Sequence, residues 1–252
     1  MSGIIYEPKG KAREYCELAL NLYTGCNHAC GYCFAPGMLR MTREEFGKPE
    51  PRLDVLLRLD KDLQKHDFAG REVFLCFSTD PYNEADEKYQ LTRQAIKMLH
   101  AHGVKVRILT KAGFAVSRDF DLLAARPDLR FYGATLTFID EADSKKWEPE
   151  ATPPLGRMLN LEEMHRRGVP TWASLEPIID PEQTLALIEA THEYVDVYKV
   201  GKWNHDARAK EIDWRDFHDK AIALLTKYGK EFYIKKDLRE AAKERMGAHV
   251  KD

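Results

Sequence analysis

The stretch Leu22-Tyr-Thr-Gly-Cys-Asn-His-Ala-Cys-Gly-Tyr-Cys-Phe34 carries three cysteines, Cys26, Cys30 and Cys33, at C-x3-C-x2-C spacing. A cluster of four irons and four sulfides takes four ligands, one at each iron. Three thiolates from one short loop would therefore leave one iron open to bind a small molecule directly. An open iron distinguishes a catalytic cluster from one that only carries electrons, so this spacing predicts a catalytic [4Fe-4S] cluster.

Two other readings of these cysteines stay open at this point. A structural zinc ion takes four protein ligands in a tetrahedron, and His28 within the loop is the available fourth ligand, although it lies close in sequence to all three cysteines. Cys16 and Cys76 are the other two thiols, and neither belongs to a second C-x2-C pair that would complete a zinc site. The second reading is that the three thiols are unrelated. Five cysteines is an odd number, which argues against a disulfide framework.

Composition narrows the class of protein. The chain has 252 residues, is 44% hydrophobic, and carries 39 Lys and Arg against 41 Asp and Glu. This balance excludes a globally cationic surface for nucleic acid, and residues 199–252 show only a mild excess of 14 basic over 10 acidic residues. No signal peptide or membrane span is evident. We therefore expect a cytoplasmic protein without a membrane partner, in a compartment where thiols stay reduced.

Short apolar runs alternate with longer amphipathic ones along the chain. The runs are rich in Val, Ile, Leu and Phe without strict alternation, as expected of parallel strands covered on both faces. The predicted strands are Glu17–Tyr23, Val73–Thr79, Val104–Thr110, Arg130–Thr137, Pro170–Leu175 and Val195–Val200, with a last short one at Phe232–Ile234.

Helix patterns lie between these runs. Apolar residues from Leu91 to Gly103 and from Trp214 to Gly229 follow helical spacing. Asp180-Pro181-Glu182-Gln183 reads as an N-cap, a proline at the first helical position and a capping-box Gln. A charged helix is predicted at Asp237–Arg245.

Strand and helix alternate about six times, which favours βα units in a parallel sheet. Right-handed crossovers curl such a sheet into a closed or partial barrel. The predicted fold is α/β, a partial (βα)6 TIM-type barrel of parallel strands in a single domain over residues 1–252. Its core covers about residues 17–236, with a short N-terminal extension and a C-terminal helix.

Polar residues end each predicted strand, which matters because active sites gather at the carboxyl ends of parallel strands. The first strand runs into the cysteine loop. The next five end in Ser78-Thr79-Asp80, Thr110-Lys111, Thr135-Leu136-Thr137, Ser174-Leu175-Glu176 and Lys199-Val200-Gly201-Lys202. These groups predict a rim of carboxylate, ammonium and hydroxyl groups around the cluster, suited to a ligand with an amino acid head and a ribose.

These residues carry a family resemblance. Cys26-x3-Cys30-x-Tyr32-Cys33 is similar to the C-x3-C-x-aromatic-C signature of the radical S-adenosylmethionine (SAM) enzymes. The chain further resembles their spore photoproduct lyase-like branch over about residues 4 to 236. The stretches that carry this similarity are Thr79-Asp80-Pro81-Tyr82, Leu91-Thr92-Arg93, Thr110-Lys111, Glu176 to Glu182 and Val195 to Asn204.

The resemblance implies a [4Fe-4S] cluster that binds SAM at its unique iron. An electron from a flavodoxin or ferredoxin type reductant would cleave SAM to methionine and a 5′-deoxyadenosyl radical, which abstracts hydrogen from the substrate. The cofactor supplies this chemistry, and the protein positions and shields it. The resemblance makes a nucleic acid the possible substrate. The alternatives are a small metabolite or protein side chain, or a non-catalytic zinc or iron–sulfur binding module.

The resemblance also assigns roles to residues. Cys26, Cys30 and Cys33 are the expected iron ligands and catalytic centre. The residues expected to contact the cofactor are Tyr32, Ser78, Asp80, Lys111, Thr135 and Glu176, and those expected to meet the substrate are Tyr82, Lys199 and Lys202. Structural alternatives stay open: a core aromatic ring at Tyr32, a surface Lys111, loop ordering by Ser78 and Asp80, and a polar network around Glu176.

Two positions depart from the lyase pattern. Where the lyase has its hydrogen-donating cysteine this chain has Phe77, and Cys76 lies one residue earlier. A one-residue offset on a strand turns a side chain to the opposite face, so we expect Cys76 to pack in the core. Phe34 replaces a tyrosine after the third cluster cysteine. These departures argue against repair of a thymine dimer by the lyase's radical relay.

Overall fold

The computed structural model describes residues 3–126, 128 and 130–243. Its strands are β1 (Leu18–Leu20), β2 (Tyr23–Thr24), β3 (Glu50–Pro51), β4 (Glu72–Leu75), β5 (Lys105–Thr110), β6 (Arg130–Thr135), β7 (Thr171–Ile178), β8 (Val197–Lys202) and β9 (Glu231–Ile234). Its helices are α1 (Ala35–Leu39), α2 (Arg43–Phe46), α3 (Val55–Lys65), α4 (Glu84–Tyr89), α5 (Leu91–Ala101), α6 (Phe120–Ala125), α7 (Glu141–Trp147), α8 (Pro154–Arg166), α9 (Pro181–Thr191), α10 (Trp214–Lys227) and α11 (Lys236–Lys243).

Seven strands form one parallel sheet in the order β1-β4-β5-β6-β7-β8-β9. Each strand therefore lies beside the next one along the chain, which is the arrangement of a singly wound barrel rather than of a doubly wound sheet. The predicted α/β fold of parallel strands in one domain is confirmed. The short strand at the end of the prediction joins the sheet as β9, so the sheet has seven strands where six βα repeats were predicted.

Side chains of the strands alternate between two apolar clusters. Leu18 and Leu20 of β1 pack in the main core together with helix residues such as Leu59 and Leu99. Ala19 between them belongs to a second, smaller cluster with Trp172. Alternation in a strand sends successive side chains to opposite faces, so the second cluster fills the concave interior of the partial barrel. Both faces are covered, as the apolar strands predicted.

The helices end and begin at the predicted signals. Asp180 caps α9 by accepting a hydrogen bond from the Gln183 amide, with Pro181 at the first helical position. The Gln183 side chain, however, accepts from the amides of Ile139 and Asp140 at 3.1 and 3.0 Å, so the capping-box prediction is wrong. Each large apolar side chain that α10 buries against the core contributes about 1.5–3 kcal/mol to the free energy of unfolding.

The strand predicted at residues 130–137 ends early, at Thr135, and two other predicted strands are shorter for identifiable reasons. The first ends at Leu20, because the Asn21 side chain binds the Tyr6 hydroxyl and the Ser78 amide, and the chain then pairs as β2 with β3. The second ends at Leu75, because Cys76 has φ +65° and leaves the strand conformation. The strands β7 and β8 extend to Ile178 and Lys202, so their rim residues up to Glu176 and Lys202 lie within strands.

A strap, residues 6–17, crosses between the two edge strands of the sheet. Tyr6 pairs antiparallel with Ala19 of β1, with amide to carbonyl distances of 2.9 and 2.8 Å. At the other end, the Glu14 carboxylate accepts from the Tyr233 hydroxyl at 2.8 Å and from the Lys236 amide at 2.9 Å. The strap thus corresponds to the predicted N-terminal extension and spans the open side of the partial barrel.

The C-terminal helix begins one residue before its prediction. It is observed as α11, and residues 244 and 245 of the predicted helix lie outside the described residues. No helix in the described part of the chain is long and apolar enough to span a membrane.

Candidate active site

Backbone contacts hold the cysteine loop, residues 25–34, at the carboxyl end of the sheet. Gly25 has φ +86°, and a Cβ there would lie 2.7 Å from the Phe46 carbonyl oxygen, so only glycine fits this close approach. The Cys26 amide donates to the same carbonyl at 2.7 Å. Farther along, the Gly31 amide donates to the Trp147 carbonyl at 2.7 Å. The loop is therefore fixed from both sides by segments distant in sequence.

The structure brings the three predicted iron ligands together. Cys30 is buried, and Cys26 and Cys33 are half-buried. Burial raises the pKa of Cys26 to about 12 and that of Cys30 to about 11. The neighbouring thiols add to both increases: Cys30 raises the pKa of Cys26, and Cys33 raises that of Cys30. Thiols that interact in this way would need cations nearby in order to ionise together. All five cysteines are free.

His28 lies within the loop and faces a carboxylate. Its Nδ1 atom is 3.5 Å from Oδ2 of Asp80, and its carbonyl accepts from the Glu150 amide at 3.3 Å. Burial lowers the pKa of His28, and Asp80 opposes that effect. Among the described residues, no three His, Cys, Asp or Glu side chains are arranged to hold a single metal ion. A [4Fe-4S] cluster binds each thiolate at a separate iron, so its ligands need not converge on one point.

Asp80 connects three loops at the carboxyl ends of the strands. Its Oδ1 atom accepts from the Thr110 hydroxyl at 2.7 Å and from the Tyr82 amide at 2.9 Å. Its Oδ2 atom accepts from the Lys111 amide at 2.7 Å and faces His28. These contacts are those of a residue that orders the loops, one of the two roles that the sequence left open for Asp80.

Lys111 places a half-buried ammonium group beside the cysteine loop. Burial lowers its pKa, but Cys30, Glu148 and Asp80 together more than offset this, so that its pKa is raised above the ordinary value. Its Nζ atom is 5.6 Å from the centroid of the Tyr32 ring. Lys111 is thus a half-buried charged group beside the cysteine loop, and its role toward the cofactor stays a prediction.

A buried ion pair that sequence reasoning missed supports Tyr32. The Tyr32 hydroxyl donates to Glu148 and lies 3.3 Å from the Thr137 hydroxyl. Glu148 in turn pairs with Arg157 at 2.5 Å, and both residues are only 1% exposed. Arg157 also donates to the carbonyl of Thr135 at 3.0 Å. No motif marks Glu148 or Arg157 in the sequence.

Thr135 and Ser78 complete the rim near the cysteine loop. Thr135 is buried at the end of β6, where it pairs in register with Ser174 of β7. Ser78 is buried, and its hydroxyl has no hydrogen-bond partner among the described residues, although its amide donates to Asn21. A buried hydroxyl without a partner is costly unless a ligand or water satisfies it. Ser78 is therefore a suitable donor for a bound cofactor.

Glu176 lies in the barrel interior within a separate network. Its carboxylate accepts from the Tyr15 hydroxyl at 2.5 Å and from the Lys235 ammonium at 3.0 and 2.7 Å. The Tyr15 hydroxyl is also 3.1 Å from the Ser174 hydroxyl. The polar network that the sequence left open for Glu176 is thus present, and the strap supplies one of its members. The cofactor role of Glu176 stays a prediction.

Lys199 also faces the interior and binds the strap. Its ammonium donates to the carbonyls of Glu14 and Tyr15, at 2.9 Å in each case. Burial lowers its pKa to about 8, with Arg107 the next contributor. Lys199 therefore holds the strap in this structure, and its role toward an anionic substrate stays a prediction.

The side chains of Tyr82 and Lys202, the remaining predicted residues, make contacts of their own. Tyr82 is buried in the main core, with the Arg118 guanidinium 5.4 Å from its ring, and burial with Asp119 raises its pKa well above the ordinary value. The Lys202 ammonium lies 5.4 Å from the Trp214 ring centroid. The substrate roles of both residues stay predictions.

Cys76 and Phe77 face opposite ways, as their offset predicted. Cys76 is buried in the main core, and burial raises its pKa to about 11. Phe77 instead stacks on Phe74 of the interior cluster, with ring centroids 4.2 Å apart. The prediction that Cys76 packs in the core is confirmed.

Comparisons with known proteins agree with this architecture. No family model matches the sequence. An uncharacterized protein of Methanocaldococcus jannaschii is 28% identical over 163 residues, which is 65% of this chain and 61% of that protein. The aligned segment thus covers less than two thirds of the relative's length.

Several solved structures share the fold, including the following two. A spore photoproduct lyase variant with bound AdoMet and dinucleoside spore photoproduct superposes with a TM-score of 0.68 at 14% identity, over 90% of this chain and 78% of the lyase. SuiB of Streptococcus suis bound to S-adenosylmethionine superposes with a TM-score of 0.62 at 16% identity, over 88% of this chain and 52% of SuiB. At this identity the comparison shows the fold alone. The partial TIM-type barrel predicted from the sequence is confirmed, and it is the fold of these two S-adenosylmethionine-binding proteins.

Proposed function

We propose that the chain is a radical SAM enzyme. The observation that carries this proposal is a C-x3-C-x2-C loop at the carboxyl end of a singly wound parallel sheet, in a fold shared with two radical SAM enzymes. When bound, a [4Fe-4S] cluster with SAM at its open iron supplies a 5′-deoxyadenosyl radical that abstracts hydrogen from the substrate. The donor set fits such a cluster, because one loop supplies three thiols and leaves the fourth iron without a protein ligand.

Cys26, Cys30 and Cys33 would hold three irons. Burial raises the pKa of Cys26 and of Cys30 in the cluster-free protein, so ionising these two thiols needs a compensating positive charge. Iron would supply most of that charge, and Lys111 adds an ammonium group close to Cys30. The same ammonium group is suited to an ion pair with the carboxylate of SAM, since charge-assisted hydrogen bonds are strong where water is excluded.

The remaining contacts position the site. Tyr32, tied to Glu148, would keep the loop closed against the sheet, and Asp80 would keep the neighbouring loops in register. Ser78, with its unpartnered hydroxyl, and Thr135 are proposed to bind SAM at its polar edge. Glu176 is proposed to reach the ribose, which requires exchange of its bond to the strap for one to the cofactor.

The substrate and the reductant belong to the proposal as well. The lyase neighbour was solved with a dinucleoside spore photoproduct, so a nucleic acid is the first substrate to test, and a small metabolite or protein side chain is the alternative. A nucleic-acid groove predicts binding that weakens steeply with salt. If the protein does not bind nucleic acid at low ionic strength, a nucleic acid is ruled out as the substrate. A flavodoxin or ferredoxin type protein is the proposed electron donor, in the cytoplasm.

Anaerobic reconstitution with iron and sulfide tests the proposal. We expect a brown protein with about four irons per chain, which releases 5′-deoxyadenosine when dithionite and SAM are added, as measured by mass spectrometry. Cys26→Ala, Cys30→Ala and Cys33→Ala should each lose cluster and product. Cys16→Ala is the matched control, because Cys16 is a buried thiol bonded to the Leu18 carbonyl and lies outside the loop.

Two results would contradict the proposal. One is a colourless protein with about one zinc per chain, which would favour a structural metal module. The other is a fully loaded cluster that does not cleave SAM.

A further inference from the structure

The short helix α2 contacts the cysteine loop from both of its ends. The carbonyl of Phe46, its last residue, accepts from the Cys26 amide at 2.7 Å. The guanidinium of Arg43, its first residue, donates to the carbonyl of Cys30 at 3.0 Å and to that of Gly31 at 2.8 Å. One helix therefore fixes the backbone at two of the three predicted iron ligands.

The helix α2 is itself held in place, so it can anchor the loop. Thr42 and Glu45 form a capping box, in which the Thr42 hydroxyl accepts from the Glu45 amide at 3.2 Å and the Glu45 carboxylate accepts from the Thr42 amide at 2.8 Å. The Phe46 side chain is buried at the other end of the helix. These contacts order α2 without any help from a bound cofactor.

The Arg43 guanidinium carries a positive charge that no described carboxylate pairs with. The two neighbouring carboxylates are engaged elsewhere, since Glu44 binds Lys48 at 2.9 Å and Glu45 belongs to the capping box. A guanidinium presents its N–H donors in a planar fork that fits two acceptors side by side, which the ammonium of a lysine does not. Arg43 thus brings both a fixed geometry and an uncompensated charge to the backbone of Cys30.

The peptide group that follows Cys30 is held on both of its edges. Its carbonyl accepts from Arg43 at 3.0 Å, and its N–H, which belongs to Gly31, donates to the Trp147 carbonyl at 2.7 Å. The reduction potential of an iron–sulfur cluster depends on the charge around it. Because reduction adds an electron, a positive charge near the cluster favours the reduced form.

We propose that Arg43 is a positioning residue for the cluster. Its guanidinium holds the backbone of Cys30 and Gly31, which sets the Cys30 thiol relative to the Cys26 thiol, and its charge favours the reduced cluster. The inference deepens the proposed function and rests on it for the cluster. The hold of Arg43 on the loop depends only on its two hydrogen bonds.

Hydrogen exchange of the cluster-free full chain, measured by mass spectrometry on the peptide that carries the cysteine loop, tests this hold. Arg43→Gln and Arg43→Lys should each speed exchange of the loop amides about 10-fold, because both lose the planar fork. Arg40→Gln is the matched control, because Arg40 is also exposed but its side chain has no hydrogen bond or ion pair with the described residues. Circular dichroism checks that each variant folds.

A redox titration of the reconstituted cluster, followed by electron paramagnetic resonance, tests the charge. Arg43→Gln should lower the ratio of reduced to oxidised cluster at a fixed potential about threefold, which is a fall of about 30 mV at 59 mV per tenfold. The shift is small because Arg43 is exposed and solvent screens its charge. Arg43→Lys keeps the charge and should stay near the wild-type potential, and Arg40→Gln should shift the potential less than Arg43→Gln does. A purely structural role would not separate Gln from Lys in this measurement.

Two results would overturn the inference: loop exchange in R43Q that is no faster than in R40Q, or equal potentials in R43Q, R43K and R40Q. A folded R43Q that takes up no iron, while R43K and R40Q load normally, would support it. Because the exchange experiment uses neither cluster nor SAM, failure there leaves the radical chemistry standing. A loop that Arg43 protects, in a protein that takes up no cluster, would refute the proposed function alone.

Discussion

Replacement of Glu148 by Gln tests the buried ion pair beneath the cysteine loop. The carboxylate is 2.5 Å from the Arg157 guanidinium, and both side chains are almost completely excluded from solvent. Glu148→Gln keeps the size and an acceptor for Tyr32 but removes the negative charge. Arg157 would then be buried without its counter-ion, a change that costs about 3–5 kcal/mol of unfolding free energy.

Urea unfolding of the cluster-free protein measures this loss, and for a chain of this size 3 kcal/mol corresponds to a fall in Tm of roughly 6–12 °C. Glu163→Gln is the matched control, because Glu163 lies on α8, the helix that carries Arg157. Glu163 binds Arg167 at 2.6 Å, but both are partly exposed, and such a surface pair contributes about 0–1 kcal/mol.

The double variant Glu148→Gln/Arg157→Met, together with the two single variants, forms a double-mutant cycle. If the buried charge dominates, the double variant loses less free energy than the sum of the two single variants, by about 2 kcal/mol or more. A loss for E148Q below about 1 kcal/mol, equal to that of E163Q, would refute the argument. It would mean that solvent reaches Arg157 or that another anion replaces Glu148.

Three further predictions follow from single residues. Gly25→Ala should sharply reduce iron incorporation, because the new Cβ would lie 2.7 Å from the Phe46 carbonyl oxygen. Gly10→Ala is the control: Gly10 also has a positive φ but has open space around it, so this variant should incorporate iron normally. Equal iron contents in the two variants would contradict the prediction. Burial lowers the pKa of Lys199 from its ordinary value of 10.5 to about 8. Between pH 8 and pH 10.5, Lys199 therefore keeps its proton in the unfolded chain but has released it in the folded chain. The unfolding free energy of the wild type relative to Lys199→Met should therefore rise with pH across that window, and a flat difference in urea titrations would refute it. Tyr15→Phe should lower the unfolding free energy by about 1.5–3 kcal/mol through loss of a bond to a carboxylate, and an unchanged urea midpoint would contradict that assignment.

Much of the fold was predictable because its signals are local. Short apolar runs predicted the strands, and apolar residues at helical spacing predicted the helices. The Asp180-Pro181 pair correctly predicted the start of α9. Strand limits were less accurate where the structure depends on distant partners. Asn21 ends β1 because of Tyr6 and Ser78, and neither contact is visible in a local pattern.

The candidate site likewise contains some residues that a local pattern predicts and others that depend on distant partners. The cysteine loop is a compact motif, so its ligands could be predicted together, and Lys111 and Asp80 followed from the ends of strands. Glu148 and Arg157 could not be predicted, since they are ordinary charged residues whose roles arise only when α7 and α8 pack beside the loop. The contacts of Lys199 could not be predicted for another reason. Its partners are backbone carbonyl groups of the strap, and because every residue has a backbone carbonyl, no residue type marks them in the sequence.

The strap has a consequence for how the molecule is made. Its contact between Lys11 and Asp237 joins residues 226 positions apart, and that between Glu14 and Tyr233 joins residues 219 apart. During synthesis, residues 6–17 must therefore wait until α11 has left the ribosome before they find these partners. Closing so long a loop is slow and entropically unfavourable, so we expect the barrel interior to be sealed last, after the βα units have assembled.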